Sequence, residues 1–473
     1  MQLEGLKLEP GIKIEAPPPP PTPYYARTFG SNLSAPNNMD SSIYGTSALA
    51  YDSSDNLYVT GGGTNNTTGS QGVTVKFNSD KTVAWQKSLS TSSGSDYNIF
   101  YSIDTDSSNN VYISGVIAKN WLSSTKYCTF QIAKYNSSGS LQWQKDLGYG
   151  FTKFVPRFGT GLVVEKSTSN FYVTGDVVIG PTTGSQPTSM TLVKYNTSGS
   201  IIWARDIETI GTNDNSNAVA LDSTGSVYIA GSTVTGGNNT AVLVKHNSAG
   251  VLQWQKGLAN NVGTNSNQFN DIAIDSSNNI FVCGNTYVFS SLNVGMIAKY
   301  NTSGTLLWQK QLYDATGSVF YQSITTDSSG NVYVTGLLNI YNGLIAKYDT
   351  NGVLQWQRVF SGSSTAGIVG LYGLSIVLDS SGIMTIGGQA NQQTGNNYNM
   401  FIFKMPSDGT LTGTYVVNGI TINYNTINYT DAVLNLTPIT TTMNSANVTY
   451  INAGSSSLVD ANSTFVDTIT PIP

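Results

Sequence analysis

The chain has 473 residues, a net charge of −5 and only 10% charged residues, while 39% of its residues are hydrophobic. This apolar content excludes an intrinsically disordered chain, and the acidic balance without a basic patch excludes nucleic acid as a main partner. No run of 18 apolar residues is present, so no membrane insertion is expected.

Residues 1–23 are predicted to form an N-terminal docking arm. An alternating segment, LKLEPGIKIE, is followed by five consecutive prolines, which favour a stiff polyproline spacer of about 3.1 Å per residue. The segment lacks the apolar core and small-residue cleavage site of a signal peptide, so we expect the chain to be made in the cytoplasm. Its composition is nevertheless typical of extracellular adhesive proteins, and a virion protein released by host lysis would satisfy both observations.

From residue 52 onwards, a ten-residue motif returns along the chain. DSSDNLYVTG is followed by DSSNNVYISG, DSTGSVYIAG, DSSNNIFVCG and DSSGNVYVTG, at residues 52–61, 106–115, 222–231, 275–284 and 327–336. Each copy precedes a second motif such as IAKYNTSGTLLWQK, in which a tryptophan lies nine residues after a lysine. These tryptophans recur every 48–60 residues, and they are Trp85, Trp143, Trp203, Trp254, Trp308 and Trp356.

The two motifs predict four short strands in each repeat. Alternating apolar runs indicate strands, and the D-S-S-G/N and N-T-S-G clusters are typical of tight turns that tolerate positive φ. Four strands at this spacing form one blade of a β-propeller. The pattern resembles the seven-bladed (SBBP-type) β-propeller repeat over residues 24–413, and is similar to propeller-containing virion proteins of tailed bacteriophages. The expected fold is all-β, with seven four-stranded antiparallel blades and one large aromatic side chain per blade packed between neighbouring sheets.

Two repeats depart from the pattern, and the start of the chain completes one of them. In the third repeat, EKSTSNFYVTG places Lys166 where the other copies have aspartate. The seventh repeat has Gly413 where tryptophan is expected, so it lacks a good outer strand. PYYARTFG matches the outer-strand motif, with Tyr25 at the tryptophan position. We therefore expect residues 24–29 to pair with the strand around residues 400–405 and close the ring.

Residues 414–473 form a C-terminal β-rich interaction tail without a blade motif. The tail is nearly uncharged and rich in threonine, asparagine, isoleucine and valine, which favours strands. A lone tail of this kind is either disordered or paired with another chain, and its composition favours pairing. We expect both the arm (residues 1–23) and the tail to dock on other proteins.

The sequence offers no set of residues for catalysis or metal binding. His246, the only histidine, occupies the tyrosine position of the K-Y-N motif and is interpreted as a surface or turn variant. Two cysteines at unrelated repeat positions, Cys128 and Cys283, cannot complete a zinc site, and both are expected to be small buried apolar residues. The repeated aspartates are interpreted as turn residues paired with the repeated lysines, not as calcium ligands. No cofactor and no enzyme activity are expected, because no carboxylate pair is left for glycoside chemistry.

The loops opposite the repeated turns vary in length and are the expected binding surface. They cover residues 116–126, 148–159, 285–294, 337–342 and 389–399. Their aromatic side chains suit contacts with carbohydrate or protein, and the candidate ligand-binding residues are Trp121, Tyr149, Phe151, Tyr287, Phe289, Tyr341 and Tyr398. The alternative is that each of these side chains only anchors its own loop.

The sequence thus predicts a non-enzymatic structural and binding protein of a bacteriophage virion, as a tail or head-fibre component. The arm and the tail would dock on other virion proteins, and the loop face would contact a host surface glycan or a neighbouring subunit. Two alternatives stay open: a bacterial cell-surface adhesin or lectin-like propeller, and a polysaccharide-cleaving propeller enzyme.

Overall fold

The computed structural model describes a chain built from β-strands joined by turns and loops. The structure describes residues 24–31, 49–65, 69–90, 97–119, 127–148, 161–178, 187–208, 213–235, 238–259, 266–289, 292–313, 317–339, 341–364, 367–392, 397–417, 420–427, 430–433, 437–439, 444–447, 451–452, 459–462 and 465–471. Within these ranges there is no helix, and so no helix long and apolar enough to cross a membrane.

The first three blades follow an N-terminal strand, β1 (Tyr25–Ser31). Blade 1 contains β2 (Leu49–Tyr51), β3 (Leu57–Asn65), β4 (Gly69–Phe77) and β5 (Val83–Ser90). Blade 2 contains β6 (Tyr97–Thr105), β7 (Val111–Lys119), β8 (Tyr127–Tyr135) and β9 (Leu141–Gly148). Blade 3 contains β10 (Gly161–Val164), β11 (Phe171–Val178), β12 (Thr188–Tyr195) and β13 (Ile201–Glu208).

The next four blades repeat this arrangement. Blade 4 contains β14 (Asn215–Leu221), β15 (Val227–Thr235), β16 (Asn238–His246) and β17 (Leu252–Ala259). Blade 5 contains β18 (Gln268–Ile274), β19 (Ile280–Phe289), β20 (Leu292–Tyr300) and β21 (Leu306–Tyr313). Blade 6 contains β22 (Val319–Thr326), β23 (Val332–Leu338), β24 (Asn342–Tyr348) and β25 (Leu354–Ser364). Blade 7 contains β26 (Gly367–Leu378), β27 (Met384–Gln392), β28 (Asn397–Met405) and, as its fourth strand, β1.

The expected seven-bladed propeller is confirmed. Strands within a blade pair antiparallel in chain order, and the first strands of consecutive blades contact one another around a closed ring, from β2 through to β26 and back to β2. The first strand of each blade is therefore innermost and the fourth outermost. Closure leaves no inner edge open to further pairing.

The repeated aspartate closes the turn between the first two strands of a blade. In blade 1, Oδ1 of Asp52 accepts the backbone N–H groups of Ser54 and Asn56 at 2.9 and 3.0 Å, and Oδ2 accepts the hydroxyl of Tyr58 at 3.0 Å. The lysine of the third strand lies 3.8 Å from the same carboxylate, between Lys76 Nζ and Asp52 Oδ2. The same turn recurs at Asp106, Asp222, Asp275 and Asp327. These carboxylates are thus used by the fold.

Tryptophan and lysine side chains tie each blade to the next. In blade 2, Trp143 Nε1 donates to the carbonyl oxygen of Thr197 in the following blade at 3.1 Å, and Lys134 Nζ donates to the Thr197 hydroxyl at 2.9 Å. The following turn can approach the indole because its glycine, Gly199, has φ of 73° and no side chain. The same indole bond, at 3.1–3.2 Å, is made by Trp85, Trp203, Trp254 and Trp308.

The two junctions around blade 7 modify this arrangement. Within the described residues, the indole N–H of Trp356 has no hydrogen-bond partner. The turn of blade 7 that follows it carries Pro406 in place of asparagine, and proline lacks the backbone N–H that closes the equivalent turns. Tyr25 replaces tryptophan in blade 7, and the ammonium of Lys81 in the blade 1 turn lies 5.5 Å from its ring centroid.

In the third repeat, the structure corrects the alignment that placed Lys166 at the aspartate position. The turn is one residue longer there, and Glu165 makes the equivalent ion pair, with its Oε2 3.6 Å from Lys194 Nζ. Lys166 instead pairs with Asp104 of blade 2, at 2.6 Å between Nζ and Oδ1. A single inserted residue was therefore read as a substitution.

Strand β1 supplies the outer strand of blade 7. It pairs antiparallel with β28, placing Tyr25 opposite Lys404 and Phe29 opposite Met400. On its other side β1 pairs with the last strand of the chain, so that Tyr25 also lies opposite Pro471. The N- and C-terminal sequences are therefore neighbours within one sheet.

The tail forms a belt around the propeller. Its strands are β29 (Gly413–Val417), β30 (Ile420–Thr426), β31 (Thr430–Val433), β32 (Thr437–Ile439), β33 (Asn444–Asn447), β34 (Ile451–Asn452), β35 (Val459–Asn462) and β36 (Phe465–Pro471). Strands β30 to β36 pair in turn with the outer strands of blades 6, 5, 4, 3, 2, 1 and 7. We name this set of strands, residues 413–471, the belt.

The belt corrects the expectation that the tail is either disordered or paired with another chain. Its partners are the outer strands of the same chain, because each of them would otherwise end in an unpaired edge. The belt is anchored on blade 6, where Ile422 and Tyr424 are buried beside Phe360. Its first strand, β29, also contacts β1 and β36, so the end of the belt meets its beginning.

We expect removal of residues 428–473, which keeps the β29–β30 anchor, to lower the melting temperature by several degrees. The loss of pairing on six blades and the newly exposed edges should also promote association between copies. Differential scanning calorimetry and limited proteolysis would measure this, with a chain lacking only residues 1–23 as the control. Equal melting temperatures in all three chains would show that the belt does not stabilise the propeller.

We expect Trp143→Phe to lower the free energy of unfolding by about 1 kcal/mol more than Trp356→Phe. Both changes replace the indole by a smaller phenyl ring. Only Trp143 loses an indole hydrogen bond, which contributes about 0.5–1.5 kcal/mol to the free energy of unfolding. A cation also lies over each ring, Lys145 at 5.9 Å and Arg358 at 5.8 Å, which makes the pair well matched. Denaturant titration would measure the difference, and equal losses would contradict the assigned role of the carbonyl.

Candidate functional site

The two faces of the propeller carry different kinds of connection. Because strands alternate in direction, the turns after the first and third strands of each blade share one face, named here the turn face. The connections after the second and fourth strands lie on the opposite face, named here the loop face. The turn face is nearly the same in every blade, whereas the loop face varies, so the loop face is the candidate binding surface.

Of the seven predicted ligand-binding residues, the four that the structure describes are spread over the loop face of blades 5, 6 and 7. Trp121, Tyr149 and Phe151 lie outside the described residues. Phe289 ends β19 opposite Leu292, and Tyr398 lies in β28 opposite Asn391. Tyr287 of blade 5 and Tyr341 of blade 6 are half-buried in neighbouring blades. Tyr287, Phe289 and Tyr341 therefore belong to one region of the loop face, on blades 5 and 6.

That region contains a network of amide side chains on blade 5. The Gln268 amide donates to Oδ1 of Asn270 at 2.8 Å and to Oδ1 of Asn285 at 3.2 Å. The Asn285 amide in turn donates to Oδ1 of Asn293 at 3.2 Å. Asn270 and Asn285 are buried, whereas Gln268 and Asn293 are half-buried. Buried amides thus fix the orientation of the outer ones.

The network extends to blade 4. Asn267, which is buried, donates its backbone and side-chain N–H groups to the carbonyl oxygen of Asn239, both at 3.1 Å. The Asn239 amide donates to the hydroxyl of Ser266 at 3.0 Å. Thr286 donates its hydroxyl to Oδ1 of Asn267. The connection between blades 4 and 5 is therefore held by side-chain amides and hydroxyls.

The network also extends to blade 6. The backbone N–H of Asn293 donates to the hydroxyl of Ser318 at 3.2 Å, and the carbonyl of Ser318 accepts the N–H of Asn339 at 2.8 Å. Asn339 is exposed and has φ of 55°, a conformation that asparagine adopts more readily than most residues. The next residue but one, Tyr341, accepts the N–H of Leu371 in blade 7 on its carbonyl. We name this continuous surface of blades 4 to 6 the amide rim.

The amide rim is electrically neutral in its described part. None of the described residues in 238–240, 266–270, 285–287, 292–294, 317–320 and 337–342 is Asp, Glu, Lys or Arg. The nearest carboxyl along β18 is Asp271, which is buried and accepts the Ser323 hydroxyl at 2.8 Å and the Ile324 N–H at 3.0 Å in the next blade. Burial raises the pKa of Asp271 to about 6, although these hydrogen bonds act in the opposite direction. Asp271 is therefore placed to join blades 5 and 6.

The amide rim was missed by sequence reasoning, which concentrated on aromatic residues. A signal was available, because the residue after the motif glycine changes between blades. It is Val116 in blade 2 and Leu337 in blade 6, but Asn285 in blade 5. Asparagine at a buried position requires hydrogen-bond partners, and these could not be identified before the fold was known.

His246 is buried, which corrects its interpretation as a surface or turn variant. It occupies the core position that Tyr135, Tyr195 and Tyr300 fill in other blades, and its exposed fraction is 0%. Burial, with a smaller contribution from the charge of Arg205, lowers the pKa of His246 to about 4. The position looked exposed in sequence because it directly precedes a turn.

The described carboxylates and cysteine do not form a metal cluster. Among the described residues, no group of three or more His, Cys, Asp or Glu side chains could hold a metal ion. Lys245 and Lys404 lie 3.7 and 2.7 Å from the turn carboxylates of Asp222 and Asp379. Cys283 is buried and free, and burial raises the pKa of its thiol well above the ordinary value.

Residues 307–342 match a family model described as a beta-propeller repeat (SBBP). No curated protein matches the chain. Similar solved structures include a protein of unknown function from Bacteroides caccae, with 13% identity, coverage of 64% of this chain and 92% of that chain, and a TM-score of 0.37.

Two further solved structures are enzymes by their printed descriptions. An ulvan lyase of a new polysaccharide lyase family has 7% identity, coverage of 80% of this chain and 96% of that chain, and a TM-score of 0.49. The sialidase of Trypanosoma rangeli, in complex with sialic acid, has 8% identity, coverage of 65% and 54%, and a TM-score of 0.37. At these values, the likeness carries no activity over to this chain.

We expect His246→Tyr to make the protein less sensitive to acid. Between pH 6.5 and about 4, the unfolded chain binds a proton at this histidine and the folded chain does not, so stability falls as the pH falls through this range. The loss amounts to about 3 kcal/mol at most. Tyrosine already fills the equivalent position in other blades, and Asp271, which acts in the opposite direction, is common to both chains.

Thermal unfolding of both chains between pH 7 and pH 4 would measure this effect. The difference in stability between the variant and the natural chain should grow as the pH falls. A difference that is constant over the whole range would show that His246 is not held neutral in the fold.

Proposed function

We propose that this protein is a non-enzymatic structural and binding component of a bacteriophage virion, in a tail or head fibre. The arm, residues 1–23, docks on other virion proteins, and the loop face contacts the host surface or a neighbouring subunit. The observation that carries this proposal is that β1, the strand after the arm, begins at the turn face, opposite the variable loop face.

The position of β1 supports this placement. Tyr25 pairs with Lys404, which lies next to the turn at residues 406–412, so the arm joins the propeller at the turn face. The amide rim lies on the loop face. A protein attached through one face and binding through the other presents its variable surface outward from the assembly.

The construction of the ring supports a structural role. In blades 1 to 5 the indole groups donate to the neighbouring blade, and the belt adds a further strand to all seven outer edges. Edges that are already paired are protected against pairing with other chains. A ring held in this way suits a particle that is exposed to the environment outside cells.

The use of the charged residues supports a non-enzymatic role. In the described part of the chain, the repeated aspartates accept hydrogen bonds within their own turns, and Asp52, Asp106 and Asp222 lie within 4 Å of the repeated lysines. Glycoside cleavage needs two carboxyl groups about 5–10 Å apart across the sugar. Carboxylates that are committed to the fold do not supply such a pair.

The belt changes which segment is assigned to docking. The described tail strands already use at least one of their two hydrogen-bonding edges on the chain's own blades. Residues 1–23 precede β1 and are the segment that we assign to attachment. The role of the tail in the proposal is to stabilise the ring.

We expect the full chain to be recovered in stoichiometric amounts with purified virus particles. A chain lacking residues 1–23 should fold with an unchanged melting temperature but should no longer be incorporated, because the docking segment is missing while β1 is kept. Quantitative mass spectrometry of particle and host-envelope fractions would measure both. Recovery in the envelope fraction would favour the cell-surface adhesin, and normal incorporation of the shortened chain would contradict docking through the arm.

A further inference from the structure

We infer that the amide rim binds an uncharged carbohydrate. This inference rests on the proposed binding role of the loop face and adds the chemical class of the ligand. Three features of the rim support it: the kinds of side chain, their fixed orientation and the absence of charge among the described residues.

The rim offers paired donors and acceptors to a ligand. Each asparagine or glutamine side chain carries one acceptor oxygen and two N–H donors, which matches sugar hydroxyl groups that both donate and accept. Gln268, Asn293 and Asn339 are half-buried or exposed amides of the rim, and they come from two adjacent blades. Tyr287 and Tyr341 are half-buried near them in the chain and add apolar ring surface for the carbon faces of a sugar.

The outer amides of Gln268 and Asn293 are held in place before a ligand arrives. Asn285 and Asn270 lie beneath them with exposed fractions of 5% and 0%, and the Asn270 amide also donates to the carbonyl of Tyr321 in blade 6 at 2.7 Å. Polar groups whose orientation is already fixed lose little conformational entropy when a ligand binds. A rigid arrangement of this kind is more than the fold requires, because blades 2 and 6 have the apolar residues Val116 and Leu337 at the position of Asn285.

The charge of the rim selects the class of carbohydrate. Uronate, sialate or sulfate groups are bound most strongly by arginine or lysine side chains. No arginine or lysine occurs among the described rim residues, which lie within 238–240, 266–270, 285–287, 292–294, 317–320 and 337–342. Binding an anionic sugar here would remove water from its charge without an opposite charge in return. The rim therefore favours neutral hexose or N-acetylhexosamine chains.

The test is binding of the full chain to immobilised neutral oligosaccharides and to a matched set that carries uronate, sialate or sulfate groups. We expect binding to members of the neutral set. For the strongest of these, Asn293→Ala, Asn339→Ala and Tyr341→Ala should each weaken binding about tenfold in a direct titration. The isosteric change Asn339→Asp, at an exposed position, should weaken it at least as much. Gln142→Ala is the matched control, because Gln142 is an exposed amide on an outer strand of blade 2 and should leave the affinity unchanged.

Several outcomes would overturn the inference. They are binding confined to the charged set, no binding to either set, and rim variants that bind as well as the natural chain while keeping its melting temperature. Particle fractionation separates this result from the proposed virion role. Recovery in particles without neutral-glycan binding would refute the ligand class alone, whereas rim-dependent binding by a chain found only in the host envelope would refute the virion role alone.

Discussion

The backbone carbonyl in the turn between the third and fourth strands is the acceptor on which the ring depends. Trp85 and Lys76 both donate to the carbonyl of Ser137, at 3.2 and 3.1 Å, and the later blades repeat this contact with small changes. The lysine also lies 5.2 Å from the ring centroid of Tyr58, so one cation joins a carboxylate, an aromatic ring and the neighbouring blade. This single joint explains why the chain repeats the same residues so closely.

A repeated joint confined to the turn half of each blade leaves the loop half free to vary. In blade 5, the loop half contains Asn270, Asn285 and Asn293. These residues hydrogen-bond one another and do not close a turn. In blade 3, the corresponding region contains Asp176, whose carboxylate accepts the backbone N–H of Ser216 in the next blade at 2.6 Å. Polar residues on this half therefore differ in kind from blade to blade.

The blades, their order and the strand that closes the ring follow from the sequence, because side chains with fixed packing roles recur at fixed spacing. Tyr25 could be assigned to an outer strand since Ala26 and Arg27 after it match Ala204 and Arg205 in blade 3. Features without a repeat could not be derived. The insertion that brings in Glu165 was hidden by the lysine beside it, and burial of His246 depends on the preceding blade. The partners of the tail could not be read either, because backbone pairing leaves little trace in side chains.

The pairing of β1 with both β28 and β36 sets an order of events during synthesis. β1 leaves the ribosome first, yet its partners in the chain are made last, after all the other blade strands. Contacts between residues far apart in sequence form slowly, since the intervening chain must already be ordered. Blades 1 to 6 can fold as they emerge from the ribosome, but the ring stays open until blade 7 is complete. The propeller is therefore completed only after β28 has been made, and the strand that closes blade 7 on its outer side, β36, follows later still in the chain.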